Sequence, residues 1–412
     1  MADILMEKCT AAKNAFPTLS TSKGSLRNKA ISLMADALER DINVILEANG
    51  KDIENAKANG IRPAMIDRLL LTEDRIKGIA ASLRKVSALP DPLGGGELWS
   101  RPNGMSIRRV KVPIGLIAII YEARPNVTAD AAAICIKSGN CCVLRGGKEA
   151  VLSSVAIVNS VRSALKEAGL PEDCVQVIED TTRESSNRLM TLNGVVDLLI
   201  PRGGRSLIRA VVDNATVPVI ETGAGNCHVY VEKHANMDMA LDLVYNAKTH
   251  RPSVCNAAES LLVDRAIAPE FLPKLKEKMG QVEFRGCEET LAILPDITPA
   301  SDEDFYTEYN DLIMSVKIVE DVEEAIAHIN SHNTKHSELI VTDSVTAADR
   351  FTAAVDAAAV YVNVSTRFTD GEEFGFGAEI GISTQKFHVR GPMGPEALTT
   401  SKYVIEGNGQ IR

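Results

Sequence analysis

Leu116-Ile-Ala-Ile-Ile120, followed after one helical stretch by Cys141-Cys-Val-Leu144, is the part of the chain whose reading decides the fold. Each run is short, apolar throughout and free of polar residues at alternate positions. A strand with one face in water alternates, whereas a strand apolar at every position is covered on both faces, as in parallel sheets flanked by helices. Working outward, Val175–Ile178, Val196–Ile200 and Pro218–Ile220 read as further short apolar strands, interrupted only by Gln176 and Asp197, with helical stretches near 128–138, 151–168, 183–193 and 205–214 between them. A second alternating set begins near Met237: a helix, Ser260–Val263, a helix, Val316–Val319, a helix and Glu338–Val341. The expectation is two α/β units with parallel-type sheets.

Upstream of these units the pattern is helical. Ala30, Leu33, Met34, Ala37, Leu38, Ile42, Ile45 and Leu46 recur at helical spacing, and Gly50 stands where a C-terminal cap belongs. Thr72 offers a hydroxyl cap to a second helix carrying Ile76, Ile79, Ala80 and Leu83. Asn103-Gly104 between the strand-like halves of Leu98–Val112 predicts a hairpin, a small β excursion that needs a partner to cover it.

Composition narrows the function. The 412 residues are 45% hydrophobic and 24% charged, with 45 basic and 55 acidic side chains and a net charge of -10. That balance describes a globular protein and makes nucleic acid a poor partner. The longest uncharged apolar run, Ile114–Tyr121, is far short of a membrane span, and the first residues lack the order of a signal peptide. No C-x-x-C pair exists among Cys9, Cys135, Cys141, Cys142, Cys174, Cys227, Cys255 and Cys287. Reduced thiols and a cytoplasmic setting are therefore expected, with Cys135, Cys141, Cys142 and Cys227 as small buried apolar residues.

Three glycine-rich turns sit where open parallel sheets bind ligands: Arg145-Gly-Gly-Lys, Pro201-Arg-Gly-Gly-Arg-Ser and Glu221-Thr-Gly-Ala-Gly-Asn. Glycine allows close approach of a phosphate, and a following helix offers free N–H groups. With Arg145, Lys148, Arg202 and Arg205, these turns favour a nucleotide, although no G-x-G-x-x-G is present. Cys255 differs from the other cysteines in ending the polar stretch Thr249-His-Arg-Pro-Ser-Val and opening a helix-prone Asn-Ala-Ala-Glu run. A thiol at a helix N-terminus near Arg251 would have a lowered pKa. His328, His332 and His336 imitate a metal site, but the polar residues between them predict solvated histidines and no metal.

Taken together, Ile120-Tyr-Glu-Ala-Arg-Pro-Asn-Val-Thr, Leu144-Arg-Gly-Gly-Lys-Glu, Leu199-Ile-Pro-Arg-Gly-Gly and Arg251-Pro-Ser-Val-Cys-Asn resemble the aldehyde dehydrogenase superfamily. So do Val362-Asn-Val-Ser-Thr-Arg-Phe-Thr-Asp-Gly and His388-Val-Arg-Gly-Pro-Met-Gly-Pro-Glu-Ala-Leu-Thr-Thr, and the six segments follow one another across nearly the whole chain. The resemblance is to the branch that reduces an acyl phosphate. It implies an aldehyde dehydrogenase-like α/β fold with an NADP-binding domain (1–97 and 113–232), a catalytic domain (233–385) and an oligomerisation element (98–112 and 386–412). It implies NADPH-dependent reduction of L-glutamyl 5-phosphate to L-glutamate 5-semialdehyde and phosphate, the second step of proline biosynthesis from glutamate.

By the same resemblance Cys255 is the nucleophile, and its backbone N–H at the helix start is the oxyanion donor. Arg145, Gly146, Gly147, Lys148, Arg202, Gly203, Gly204 and Glu308 hold NADPH, with Glu308 on the nicotinamide ribose. Arg124, Asn126 and Arg251 are candidates for the substrate. The side-chain oxyanion donor of the superfamily, an asparagine, falls at Ala123. Glu221 occupies the place of the water-activating glutamate, which an enzyme releasing phosphate does not require. A homo-oligomer, dimer or tetramer, follows from the resemblance, with the hairpin and the C-terminal segment in an intersubunit sheet, and association with gamma-glutamyl kinase is left open. The rival readings are a hydrolytic aldehyde dehydrogenase using Glu221 as general base and a nucleotide-binding regulator with an inert cysteine.

Overall fold

The computed structural model describes residues 3–122 and 124–412. The chain forms two compact units: one runs to Thr222 and takes back Gly375–Gly381 and Met393–Arg412, and the other holds Gly223–Phe374 and Ile382–Pro392.

In the first unit, five helices precede the sheet: Ile4–Ser20, Gly24–Arg40, Ile42–Ala58, Pro63–Leu69 and Glu73–Ala88. The apolar series from Ala30 to Leu46 spans two of them. Asp41 separates the pair with a backbone that leaves the helical region, φ -97° and ψ 15°, and its carboxylate is held by Arg40 and by the Ser160 hydroxyl at 2.8 Å. Gly50 is thus no cap but an exposed position inside Ile42–Ala58. Thr72 caps as expected, accepting from the Arg75 amide at 3.2 Å.

The sheet of this unit has four parallel strands in the order Val175–Val177, Cys141–Arg145, Leu116–Tyr121, Leu198–Arg202. Every residue of Leu116–Tyr121 is buried, as continuous apolarity requires. Pro218–Ile220 contributes a single bridge, Val219 to Leu199, rather than a strand. Helices Pro125–Lys137, Val151–Ala168, Arg183–Met190 and Arg205–Asn214 are the crossovers.

The hairpin forms as Gly96–Ser100 against Ser106–Pro113, with Gly104 at φ 88° in its turn. Thr399–Glu406 of the same chain adds a third antiparallel strand, and Trp99 meets Tyr403 edge-on at 6.2 Å. The cover that the hairpin needs therefore comes in part from its own C-terminal segment.

The second unit holds seven parallel strands in the order Thr298–Pro299, Glu283–Gly286, Ile313–Val319, Ala258–Asp264, Cys227–Val231, Ser337–Val341, Ala359–Val362. Period-two alternation sends Val229, Leu261 and Leu339 to one face, against helices Met237–Thr249 and Ala268–Lys278. Tyr230, Leu262 and Ile340 face helices Val322–His332 and Val345–Ala354 on the other. The sequence reading divides the domains at 232/233, but strand Cys227–Val231 hydrogen-bonds into this second sheet and belongs with Gly223 onwards. Among the described residues no helix is long and apolar enough to cross a membrane.

Candidate active site

Cys255 lies in the second unit, half-buried, in the loop between helix Met237–Thr249 and strand Ala258–Asp264. The expected helix after it does not form. Asn256 and Ala257 continue a turn, closed by the Ala257 amide on the Val254 carbonyl at 3.0 Å, and Ala258-Glu-Ser-Leu enters the sheet between Cys227–Val231 and Ile313–Val319. Pairing on both sides outweighs the local helix preference of Asn-Ala-Ala-Glu, so the thiol does not stand at a helix N-terminus.

What fixes the loop is a set of contacts from distant segments. Cys227, fully buried, donates its thiol to the Cys255 carbonyl at 3.2 Å. Burial holds that thiol well above its usual pKa, so it stays a donor. Gly225 abuts the Cys255 backbone so closely that no side chain would fit, and its amide donates to Glu308 Oε1 at 2.8 Å. Asn256 donates from Nδ2 to the carbonyls of Arg367 and Thr369 at 3.3 and 3.0 Å, while the Thr366 hydroxyl donates to the Asn256 carbonyl at 2.7 Å.

Below the loop, Lys248 and Glu259 form a fully buried ion pair at 2.5 Å, one at the end of the helix and one at the start of the strand. Glu259 also accepts from the Asn310 amide at 3.2 Å, which ties in the segment carrying Glu308. Burial pushes the Glu259 carboxyl up to about 8 against the pull of Lys248, and holds Lys248 below its usual range. Sequence reasoning did not single out this pair, Cys227 as a donor, or Arg367. The available signal was Glu259, a carboxylate inside an otherwise apolar strand. Arg251 begins the same loop and is exposed.

The histidines are not solvated. His328 and His336 are buried, and His328 stacks on His332 at 3.9 Å and meets Phe305 edge-on at 5.3 Å. Helix Val322–His332 carries two of the three inward because its apolar face packs on the sheet. Burial, reinforced by His228 and His332, holds His328 down at about 2, so it is a neutral aromatic there. Among the described residues no group of His, Cys, Asp or Glu could hold a metal. Cys135, Cys141, Cys142 and Cys227 are buried, as expected.

In the first unit the strand register brings Ile120 level with Arg145 and Pro201, and Tyr121 level with Arg202, so two of the glycine turns share one sheet edge. Arg145 donates from Nη2 to the carbonyls of Thr181 and Thr182 at 2.6 and 3.0 Å, and its Nε is buried without a partner. Gly147 precedes the short turn Lys148–Ala150, and Gly204 precedes helix Arg205–Asn214, so both leave N-terminal amides to be satisfied. The Gly204 amide donates to Glu122 at 3.0 Å, and a side chain at Gly203 would collide with Glu122. Arg202 lies 3.9 Å from Glu379. Beside the turns, a cavity of about 400 Å³ is lined by Ile61, Arg62, Met65, Leu69, Glu122 and Glu149. An orphaned guanidinium N–H, helix-start amides and a cavity with both apolar and charged walls fit a dinucleotide. The third turn differs: Glu221-Thr-Gly-Ala-Gly-Asn runs into strand Cys227–Val231, and its Gly225 serves the nucleophile loop instead.

Arg124 is exposed, and its amide donates to the Glu122 carbonyl at 2.6 Å. Asn126 reaches Asp130 at 3.4 Å. Burial pushes the Asp130 carboxyl up to about 6, with Asn126 and Arg202 drawing it back. Glu221 is half-buried. Ala123 lies outside the described residues.

Residues 3–306 match the aldehyde dehydrogenase family. The gamma-glutamyl phosphate reductase of Thermoanaerobacter pseudethanolicus is 55% identical over 408 residues, covering 98% of this chain and 99% of that one. That of Clostridium perfringens is 55% identical over 417 residues, covering 100% of both. The crystal structure of gamma-glutamyl phosphate reductase from Thermotoga maritima superposes with a TM-score of 0.98 at 48% identity over 100% of both chains. An acetylating aldehyde dehydrogenase from Geobacillus thermoglucosidasius shares the fold, with a TM-score of 0.71 at 18% identity. The chain belongs to the aldehyde dehydrogenase family and, within it, to the gamma-glutamyl phosphate reductases.

Proposed function

We propose that this chain reduces L-glutamyl 5-phosphate to L-glutamate 5-semialdehyde, releasing phosphate, with Cys255 as nucleophile and NADPH as reductant. The observation that carries the reading is a half-exposed thiol in a loop clamped by Cys227, Gly225 and Asn256, in a chain that matches gamma-glutamyl phosphate reductases end to end. The Cys255 sulfur attacks the acyl carbon and the carbon–oxygen bond to phosphate breaks, leaving a thioester. A thioester accepts hydride more readily than a carboxylate and stays tethered at the site. Bound NADPH would supply a hydride; with that hydride and a proton from water the Cys255 thioester would become a thiohemiacetal, whose collapse would release the aldehyde and return its hydroxyl proton to the thiol. The released semialdehyde is expected to cyclise to pyrroline-5-carboxylate.

Arg145, Lys148 and Arg202, with Gly146, Gly147, Gly203 and Gly204, are the proposed hold on the cofactor, and cationic side chains beside helix-start amides support that role. Glu308 is proposed to steady the nicotinamide ribose, and Arg124, Asn126 and Arg251 to meet the substrate. The choice of NADPH over NADH, a cytoplasmic setting and delivery of the labile acyl phosphate by gamma-glutamyl kinase belong to the same proposal. So does assembly through the three-stranded sheet, whose exposed Leu98 and Ile405 leave apolar surface to cover. The test is Cys255→Ser, whose hydroxyl is a far weaker nucleophile. Turnover should fall by at least about 10³-fold while NADPH binding, read by its fluorescence, is retained. A serine variant within tenfold of wild type would overturn the assignment.

A further inference from the structure

We propose that Arg367 is the anion-binding side chain of the acyl-phosphate site, holding with Arg251 the phosphoryl group of the substrate beside Cys255. The inference deepens the function proposed above and rests on it.

Arg367 sits in the single turn Thr366–Phe368, which is fastened to the nucleophile loop rather than merely near it. The Thr366 hydroxyl holds the Asn256 carbonyl at 2.7 Å, and the Asn256 side chain holds the carbonyls of Arg367 and Thr369. Thr369 is itself pinned by the hydroxyls of Tyr361 and Ser337, at 2.7 and 2.6 Å. The backbone of Arg367 is thereby fixed relative to the residue that follows Cys255.

Its guanidinium is only partly satisfied. Nε is buried and has no hydrogen-bond partner, and a buried charged donor left unpaired is costly. Desolvation works against its charge, and among the charged groups acting on it Cys255 comes first and Arg251 second. Asp370 also favours the charge, but its Oδ1 accepts from the amides of Glu372 and Glu373 at 2.8 and 3.4 Å. Arg251 weakens the hold of Arg367 on its charge, and two like charges repel each other unless an anion lies between them.

The chemistry says which anion. In L-glutamyl 5-phosphate the phosphoryl group is joined through one oxygen to the carbon that Cys255 attacks, whereas the α-carboxylate is at the far end of the carbon chain. A cation on the turn fastened to the residue after Cys255 is therefore at the phosphoryl end. A guanidinium fork matches phosphate oxygens two at a time. As the carbon–oxygen bond breaks and negative charge passes to the leaving phosphate, that fork neutralises it, with no further reactant needed.

The reverse reaction separates the two ends of the substrate: oxidation of semialdehyde by NADP in the presence of phosphate, read as NADPH formed. Arg367→Gln should raise the KM for phosphate by at least about tenfold, the size of one charge-assisted hydrogen bond, and leave the KM for semialdehyde within about twofold. Arg367→Lys should recover part of the loss as a point charge without a fork. An unchanged phosphate KM, or a rise confined to semialdehyde, overturns the proposal. Alkylation of Cys255 gives a reading that needs no turnover. Wild type should favour iodoacetate over iodoacetamide relative to free thiols, and Arg367→Gln should lose that preference; an unchanged ratio counts against the cation. Wild-type protein that forms no NADPH from semialdehyde and phosphate sinks the proposed function itself, and the alkylation ratio then judges Arg367 alone.

Discussion

Gly225→Ala tests whether the nucleophile loop is held in place by backbone contact. A Cβ built on Gly225 lies 1.5 Å from the Cys255 carbonyl oxygen, 2.3 Å from its carbon and 2.6 Å from its Cα. Ordinary contact begins at 3.4 Å, so the oxygen or the glycine must retreat by about 2 Å, the difference of the two distances. Neither can do so alone: the Cys227 thiol holds that carbonyl at 3.2 Å and Glu308 holds the Gly225 amide at 2.8 Å. The loop must move, and Cys255 moves with it. A displacement of about 1 Å at a reacting group costs on the order of 10²-fold, so kcat should fall by at least that factor. Overpacking costs only about 1–3 kcal/mol, so the chain should remain folded. Gly50→Ala is the matched control: it has open space around it in an exposed helix interior, and should gain about 0.5–1 kcal/mol with kcat unchanged. NADPH oxidation, circular dichroism and the rate of Cys255 alkylation would be measured on both. A Gly225→Ala enzyme within threefold of wild type would refute the reasoning.

Glu221→Gln should leave phosphate-dependent turnover nearly unchanged, because phosphate release asks for no base to activate water; a folded variant more than a hundredfold slower would favour the hydrolytic mechanism instead. Lys248→Met strands Glu259 in the interior and should destabilise the second unit by about 3–5 kcal/mol, whereas adding Glu259→Leu should recover most of it, as read by denaturant unfolding. In that single variant Glu259 resists ionisation in the fold but ionises freely when unfolded, so stability should drop as pH rises above the ordinary carboxyl range, and without the pull of Lys248 the drop should continue past the value of about 8 that the paired carboxyl has; a flat profile would show that Glu259 is solvated. Removing Trp99–Val110 behind a short turn should weaken assembly before it disturbs either α/β unit, and light scattering that finds a monomeric wild type would dispose of this.

Periodicity made the two sheets legible. Leu116–Ile120 and Cys141–Leu144 could be read as doubly covered strands because burial on both faces leaves its mark on every residue of the run. The glycine turns after them were legible for the same reason, since a strand's end fixes where its turn must be. Cys255 stood out by the polarity of its loop and by its resemblance to a known nucleophile. The sequence alone misread Asn256-Ala-Ala-Glu as a helix start and the three histidines as solvated, because local preference says nothing about which strand will arrive alongside. Tertiary structure decided that Ala258–Asp264 pairs on both sides, that the Gly225 amide donates to Glu308, and that Asn256 fastens Arg367 to the nucleophile loop. These partners are far apart in the chain, and their meeting depends on the strand order of a seven-stranded sheet. That order is settled by packing across the whole unit, a quantity no local window of sequence contains.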